Sequence, residues 1–430
     1  MGFGDVVVVR KTSRLSFLAN RTMISRPHES LQRVGPLAVV PAVLREAGVD
    51  AEPILAGLGL STEAMQRDAW LPYGTLVALL ERGTEATGRS EFGLRVGLAN
   101  DHRCLGAVGA LMSSAATLGQ ALRDYVSVQG GLSSSGSAYL IPLDDYVAFG
   151  YGIYDRFTPT ALQVYGVYIG AALRIVPLLS GGAVHPIEVQ FSGRMPPDGR
   201  GFERLAGVPV RFNERQTCLL LRRSDLAAPN PSADPAAHQR LLAQVAERLG
   251  LDLQSAAARL RHALRPALSL GETTLEELAH GLGLSSRTLD RRLAAEGTSF
   301  VRERDAVRAV MAEELLALTD LTIGEVANAL SYANHSAFVR SFRRWSGVTP
   351  SAWRPARALD GVAEGAEPGR PFWVLGRADR SAYRKARTAR RQVEVSRGLS
   401  ADGSPLRLQS NVTGIPGRGG LEGQSPSNSD

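Results

Sequence analysis

Lysine is nearly missing from this 430-residue chain: Lys11 and Lys385 are the only two, and arginine supplies the rest of its 49 basic side chains. A guanidinium carries a planar fork of donors that suits phosphate and guanine, although codon composition produces the same bias. Cysteine is equally scarce. Cys104 and Cys218 stand alone, which leaves no disulfide framework and no thiolate metal cluster and makes a reducing cytoplasm the expected setting. No uninterrupted apolar run approaches the roughly 20 residues that span a bilayer, so no membrane is expected as a partner. The opening MGFGDVVVVRKTSR has neither a secretory apolar core nor a small-residue cleavage site, and residues 1–30 read as an extension outside the fold, with Met23 an alternative start. GxxxxGK[ST], HExxH and GxSxG are absent, and GRSEFG at Gly88 misses the last by one residue. GGLSSSGS, from Gly130 to Ser137, lacks the lysine and the following helix of a phosphate loop and reads as a flexible turn before a strand. No catalytic residue, metal ligand set or cofactor is therefore expected.

What is present fits a soluble globular protein of two or three domains: 44% of residues are hydrophobic and the mean hydropathy is near zero. A net charge of +7 and a pI of 9.7 favour a polyanionic partner, nucleic acid before membrane, with part of that charge in the C-terminal tail. Ordered structure is expected from Leu31. GPLAVVPAVLREAGVD predicts a helix stopped by Gly48, and LPYGTLVALLERGTEATG a second, with Pro72 near its first turn and Gly88 past its end. Helical spacing returns in GAVGALMSSAATLGQALRDYVSVQGG. The period then changes to alternation around Asp144-Asp145, which predicts a hairpin. A long apolar helix over PTALQVYGVYIGAALRIVPLLSG and short strands at IEVQF and TCLLLRR complete an α+β domain over 31–225. Pro229, Pro231 and Pro235 mark a linker, which with a connecting helix is placed at 226–268. An all-α domain follows over 269–357, and 358–430 reads as a disordered basic tail.

The all-α region repeats itself. TLEELAHGLGLSSRTLDRRL runs from Thr274 to Leu293, and TIGEVANALSYANHSAFVRSF from Thr322 to Phe342. Leu275, Leu278, Ala279 and Leu282 recur about 48 positions later as Ile323, Val326, Ala327 and Leu330, after which the offset slips by one. Each unit has helix–turn–helix grammar: a capping box (Thr274 with Glu277, Thr322 with Glu325), a tight turn, an N-cap for the second helix (Ser285, Asn334) and an inward pair (Leu289 with Leu293, Phe338 with Phe342). That leaves Ser286, Arg287, Asp290, Arg291 and Arg292 on one outward face, and Asn334, His335, Ser336, Arg340, Arg343 and Arg344 on the other. Arg287 and Arg291 rank first for base edges, Arg292 for phosphate, while His335 either contacts DNA or is simply solvated. From Glu272 to Arg354 ten arginines face eleven acidic residues, so the positive charge is placed rather than general. SFVRERDAVRAVMAEELLALTD between the units predicts one helix of roughly 30 Å, close to the roughly 34 Å between successive major grooves on one face of DNA.

SSRTLDRRLAAEGTSF, RAVMAEELLAL from Arg308 to Leu318, LTIGEVANAL and SAFVRSFRRWSGVTPSAWR closely resemble the DNA-binding domain of the AraC/XylS family of bacterial transcription regulators. Ser331 departs from the glycine usual before the aromatic Tyr332, which implies some strain in that turn. VPAVLREAGVD, FGLRVGLA, LGAVGALMSSAATLGQALRDY and FERLAGVPVRFNERQTCLLL are similar to the arabinose-binding-type effector domain of one subgroup of that family. The resemblance implies a nucleoid-associated regulator, activator or repressor, that binds double-stranded DNA as a homodimer, responds to a small molecule and has RNA polymerase as a further partner. A DNA-binding protein whose N-terminal domain only dimerises is the alternative. The effector-binding residues stay open: Tyr146, Tyr151, Tyr154, Tyr165 and Tyr168 line a pocket or, the better reading for any one of them, are core and surface tyrosines. Arg156 beside Asp155 anchors a carboxylate ligand or, more simply, lies in a surface turn.

Overall fold

The computed structural model describes residues 30–65, 69–154, 161–197, 199–249, 255–271 and 273–354. The N-terminal extension, the tail beyond Arg354 and the Asp155–Arg156 pair lie outside the described residues.

The chain enters through a short strand β1 (Leu31–Arg33), a 3-10 turn over Gly35–Val39, and α1 (Val40–Glu46) and α2 (Glu52–Ala56). β2 (Trp70–Pro72) pairs antiparallel with β1 and leads directly into α3 (Tyr73–Thr87), which ends at Gly88 in the left-handed region, as its sequence predicts. α4 (Phe92–Leu98) follows. The next stretch reads as continuous helical spacing but splits into α5 (Ala107–Ser114) and α6 (Leu118–Val128). Thr117 makes the break, its side chain accepting from the Gln120 N–H at 3.2 Å while Gln120 Oε1 accepts from the Ala116 N–H at 2.9 Å.

β3 (Gly136–Leu143) and β4 (Tyr146–Ile153) form the expected hairpin, with Asp144 at φ +49° in its turn. The apolar α7 (Ala161–Leu179) is long and apolar enough by composition to cross a bilayer, yet most of it is buried inside the domain. Its Gly166 and Gly170 lie backbone to backbone against Gly93 and Gly97 of α4, where a Cβ on any of the four would collide with the facing main chain. β5 (Glu188–Gln190), α8 (Arg200–Ala206), β6 (Val210–Arg211) and β7 (Thr217–Arg222) complete a five-stranded sheet of order β3-β4-β7-β5-β6, antiparallel except for β5 with β6. One face of the sheet carries Phe149, Tyr151, Leu219 and Leu221 into the main core; the other carries Tyr139, Ile141, Ala148 and Cys218.

The proline-rich segment is not a free connector. Asn230 is buried and donates through Nδ2 to the Ser113 carbonyl at 2.9 Å, and α9 (Pro235–Leu249) packs on α5. α10 (Ala256–Leu270) belongs by packing to the helical unit: Leu260, Leu264 and Leu268 share a core with Leu289, Leu293, Phe338 and Phe342. The stretch 226–268 thus divides between the two packed units. The remaining helices are α11 (Leu275–Gly281), α12 (Ser286–Ala295), α13 (Phe300–Leu318), α14 (Ile323–Ala329), α15 (His335–Ser346) and α16 (Pro350–Trp353).

Candidate nucleic-acid interface and N-terminal cavity

α11 with α12, and α14 with α15, form two helix–turn–helix hairpins of the same local construction. Both capping boxes close: the Thr274 N–H donates to Glu277 at 2.9 Å and the Thr322 N–H to Glu325 at 2.7 Å, with the reciprocal bonds at 3.2 Å each. Each carboxylate also meets the positive end of its helix, and the backbone bond to Thr274 holds the Glu277 carboxyl below its usual range. The turn that follows uses a left-handed residue at matching positions, Gly283 at φ +69° and Ser331 at φ +60°. The strain implied at Ser331 is therefore present. Its hydroxyl gives something back by donating to the Leu268 carbonyl at 3.1 Å. Ser285 and Asn334 cap α12 and α15, accepting from the N–H groups three residues on at 3.2 and 2.8 Å. Leu289, Leu293, Phe338 and Phe342 are fully buried, which fixes the opposite face of each helix outward.

On those outward faces Arg287, Asp290, Arg291 and Arg292 of α12 are exposed and Ser286 is half-buried; Asn334, His335, Ser336, Arg340, Arg343 and Arg344 at α15 are all exposed. Among the described residues Arg287, Arg291, Arg292, Arg340 and Arg343 have no ion-pair partner, whereas Arg344 donates to Asp305 of α13 at 2.6 Å. Asn334 spends its Oδ1 on the cap, which leaves its NH2 group outward. α13 is one continuous helix of 19 residues between the hairpins.

Sequence reasoning missed the junction that holds these hairpins to the sheet. Arg265 of α10 is 2% exposed and Glu314 of α13 1%, and their side chains meet at 3.2 Å. Arg265 Nε donates to the Ile153 carbonyl at the end of β4 at 2.9 Å, over Gly152, where a Cβ would come within 2.6 Å of it. Ser192 donates to the same Glu314 carboxylate at 3.0 Å. Beyond it, Arg194 reaches the last turn of α13, donating through Nη1 to the Ala317 carbonyl at 2.8 Å, through Nη2 to the Thr319 carbonyl at 3.0 Å and through Nε to Asp320 at 2.9 Å. The sequence carried little sign of it: Arg265 shares its side of α10 with Arg261 and His262, and Glu314 is buried on α13 together with Glu303 and Arg308.

In the N-terminal unit β1, α3, α6, β4 and α7 border a cavity of about 100 Å³. Tyr151 and Tyr168 line it with Tyr73 and Tyr125, and the rings of Tyr151 and Tyr168 stack at 5.0 Å. The five tyrosines singled out from sequence therefore separate. Tyr151 and Tyr168 face the cavity, Tyr165 is fully buried, Tyr154 joins the core shared with α10, and Tyr146 is exposed. The thiols of Cys104 and Cys218 are both buried, and burial pushes the Cys218 thiol up, away from the thiolate form that reacts.

The architecture agrees with what this sequence matches among known proteins. The N-terminal arabinose-binding domain of AraC-type transcription regulators matches residues 48–230, and a helix-turn-helix domain matches 278–356. This chain belongs to the AraC family of transcription regulators. The AraC-family chain is 28% identical over 327 residues to the HTH-type transcriptional regulator VirS of Mycobacterium tuberculosis, covering 75% of its own length and 94% of that protein. It is 31% identical over 183 residues to the ornithine utilization regulator of Pseudomonas aeruginosa, covering 42% and 54% respectively. The crystal structure of the transcriptional regulator CdpR from P. aeruginosa aligns with a TM-score of 0.37 at 25% identity, over 74% of this chain and 96% of that one. By its two domain matches, the regulator joins an arabinose-binding-type domain to a helix-turn-helix DNA-binding domain.

Proposed function

We propose that this chain is a sequence-specific regulator whose two hairpins read neighbouring segments of major groove and whose N-terminal unit, 31–225, responds to a small molecule held in its cavity. The reading part is 269–357. Arg287 and Arg291, with Ser286 and Asp290 beside them, take base edges in one groove; His335, Ser336 and Arg340, with Asn334 at the helix start, take the other. Arg292, Arg343 and Arg344 hold phosphates, which positions the protein without reading sequence.

The observation that carries this reading is the matched pair of exposed arginines, Arg291 and Arg340, without ion-pair partners among the described residues, at equivalent places in two capped hairpins joined by one continuous helix. At 1.5 Å per residue that helix is roughly 28 Å long, near the ~34 Å between successive grooves. A unit whose first domain only dimerises has no need of a largely apolar pocket lined by four tyrosines, which favours the sensing version.

Selection of bound sequences from random duplex DNA with the full chain tests the reading. Enrichment of two short boxes about 10 base pairs apart is expected. Salt-sensitive binding with no enriched sequence would make the protein a nonspecific binder instead.

A further inference from the structure

Resting on the reading that the two hairpins take neighbouring grooves, we propose that Arg194 and Asn213 of the N-terminal unit are positioning residues for the second hairpin. They fix the corner at which it leaves α13, and so set the spacing at which a second DNA box is accepted.

The mount is rigid. β5 and β6 run parallel, so the segments that follow them leave the sheet at one end. There they are tied together: the Asn213 N–H donates to the Gly193 carbonyl at 2.7 Å and the Glu214 N–H to the Phe191 carbonyl at 3.0 Å. The rings of Phe191 and Phe212 stack at 5.4 Å, with Phe202 edge-on to both. The grip falls on one corner of backbone. Besides the three bonds of its side chain, Arg194 donates its own N–H to the Leu318 carbonyl at 2.6 Å. Asn213 makes a two-way pair with Asp320, its Nδ2 donating to the carboxylate at 3.3 Å and its Oδ1 accepting from the Asp320 N–H at 3.1 Å. Asn213 sits at φ +62°, in the left-handed region that asparagine tolerates better than most residues.

The hold is one-sided. Arg215, on the same segment as Asn213, lies within charge range of Glu325, the carboxylate that closes the α14 capping box. Burial pushes the Arg215 guanidinium below its usual range, and the charge of Glu325, with Glu214 after it, opposes that. Glu277, the counterpart of Glu325 in the first hairpin, is bonded to Thr273 and Thr274, its own neighbours in sequence. Among the described residues no hydrogen bond or ion pair runs from residues 31–225 to α11 or α12. The first hairpin is tied to α10 instead: Arg259 donates to the Leu282 carbonyl at 3.0 Å, and Glu296 accepts from the Ala256 and Ala257 N–H groups at 2.7 and 3.0 Å. The apolar core that both hairpins share holds them together, but attraction of that kind is non-directional. Hydrogen bonds at the corner supply the direction. The exposed Arg194–Asp320 ion pair would hold little alone; the grip comes from the bonds that land beside it on Ala317, Leu318 and Thr319.

Competition binding of the full chain to its selected two-box operator tests this. The competitors are duplexes with one base pair added or removed between the boxes, and one with the second box scrambled. One base pair turns the second box by about a tenth of a turn, which should weaken the parent by about tenfold or more. In Arg194→Gln and in Asn213→Gly that spacing penalty should shrink to about threefold or less, with affinity for the scrambled duplex within about twofold of the parent. Asn213→Gly keeps the left-handed turn and removes only the side chain. Arg194→Lys keeps the charge and loses the fork, so its penalty should fall between those of the parent and Arg194→Gln. Lost stability alone would weaken every duplex alike and leave the penalty where it was, and thermal melting shows that each variant is folded. An unchanged penalty in Asn213→Gly or Arg194→Gln would overturn the assignment. So would a scrambled duplex that loses as much affinity as the operator does. If selection returns no two-box site, the paired-groove reading falls and takes the assignment with it. A two-box site with an unchanged penalty defeats the assignment and leaves that reading standing.

Discussion

Replacing Glu314 by glutamine should destabilise the chain by about 3–5 kcal/mol, the range found when one partner of a buried ion pair is removed. The magnitude follows from where the charge is left. Arg265 is 2% exposed, and the partners left to it among the described residues, the Ile153 carbonyl at 2.9 Å and the Tyr165 hydroxyl, are neutral. The glutamine keeps the shape of Glu314 and can still accept from Ser192, so packing and that bond are largely retained, and the loss reports the uncompensated guanidinium. Coupling then predicts the opposite behaviour for the pair: Arg265→Met with Glu314→Leu should regain most of the loss, because paired apolar replacements are commonly neutral or stabilising. Denaturant unfolding in single-tryptophan versions that retain Trp70 in the N-terminal unit or Trp345 in the helical unit provides the assay. In the parent the two probes should report one transition. In Glu314→Gln the Trp345 transition should move to lower denaturant ahead of Trp70, since the pair joins α10 and α13 to the end of β4. A loss under about 1 kcal/mol, or a double variant as unstable as the single one, would refute the claim that these charges depend on each other.

Further outcomes are expected elsewhere. Arg291→Ala should lose about 1–3 kcal/mol of binding at one base position in a selected operator, whereas Arg292→Ala should weaken all sequences alike; equal weakening in both, seen by competition binding, would make Arg291 a phosphate contact. His262 sits in α10 against Tyr154, ring centroids 6.1 Å apart, and burial holds its pKa down at about 4. An unfolded histidine takes up its proton near ~6.5, so between ~6.5 and 4 the unfolded chain binds more protons and stability falls as the pH drops. His262→Leu should flatten unfolding curves measured across that window, and an unchanged slope would contradict the burial. Ser331→Gly should be within about 1 kcal/mol of neutral, since relief of the left-handed conformation is offset by unfolded-state entropy and the lost bond to Leu268. Ser331→Ala keeps the strain and loses the bond, so calorimetry should show a cost of about 0.5–1.5 kcal/mol.

The legible parts of this molecule were the local ones. Capping boxes, N-caps and the inward pairs Leu289 with Leu293 and Phe338 with Phe342 depend on spacings of three or four residues, so the sequence displays them directly. The β3–β4 hairpin was legible for the same reason, since its turn sits between two alternating runs. The break at Thr117 was hidden because apolar spacing on both sides continues in phase, and only the Thr117 and Gln120 side chains mark it. The cavity was hidden more deeply. Arg33, Tyr125, Tyr151 and Tyr168 come from four separate elements, and nothing in any one of them marks it as facing a shared space. Arg265 and Glu314 lie 49 residues apart on two helices, each with other polar residues on the same side, so neither stands out until packing brings them together.

The closure of α13 by Arg194 bears on how such a regulator can be taken apart. The end of the helix between the two hairpins has the carbonyls of Ala317 and Thr319 satisfied by a side chain from the other domain. A reading domain cut free at the connector carries those carbonyls bare. A chimera with a foreign sensor inherits the same open end unless the new partner presents a guanidinium there. The boundary that looks modular in sequence is, at this one arginine, a shared piece of architecture, and transplanting either half means transplanting residue 194 with it.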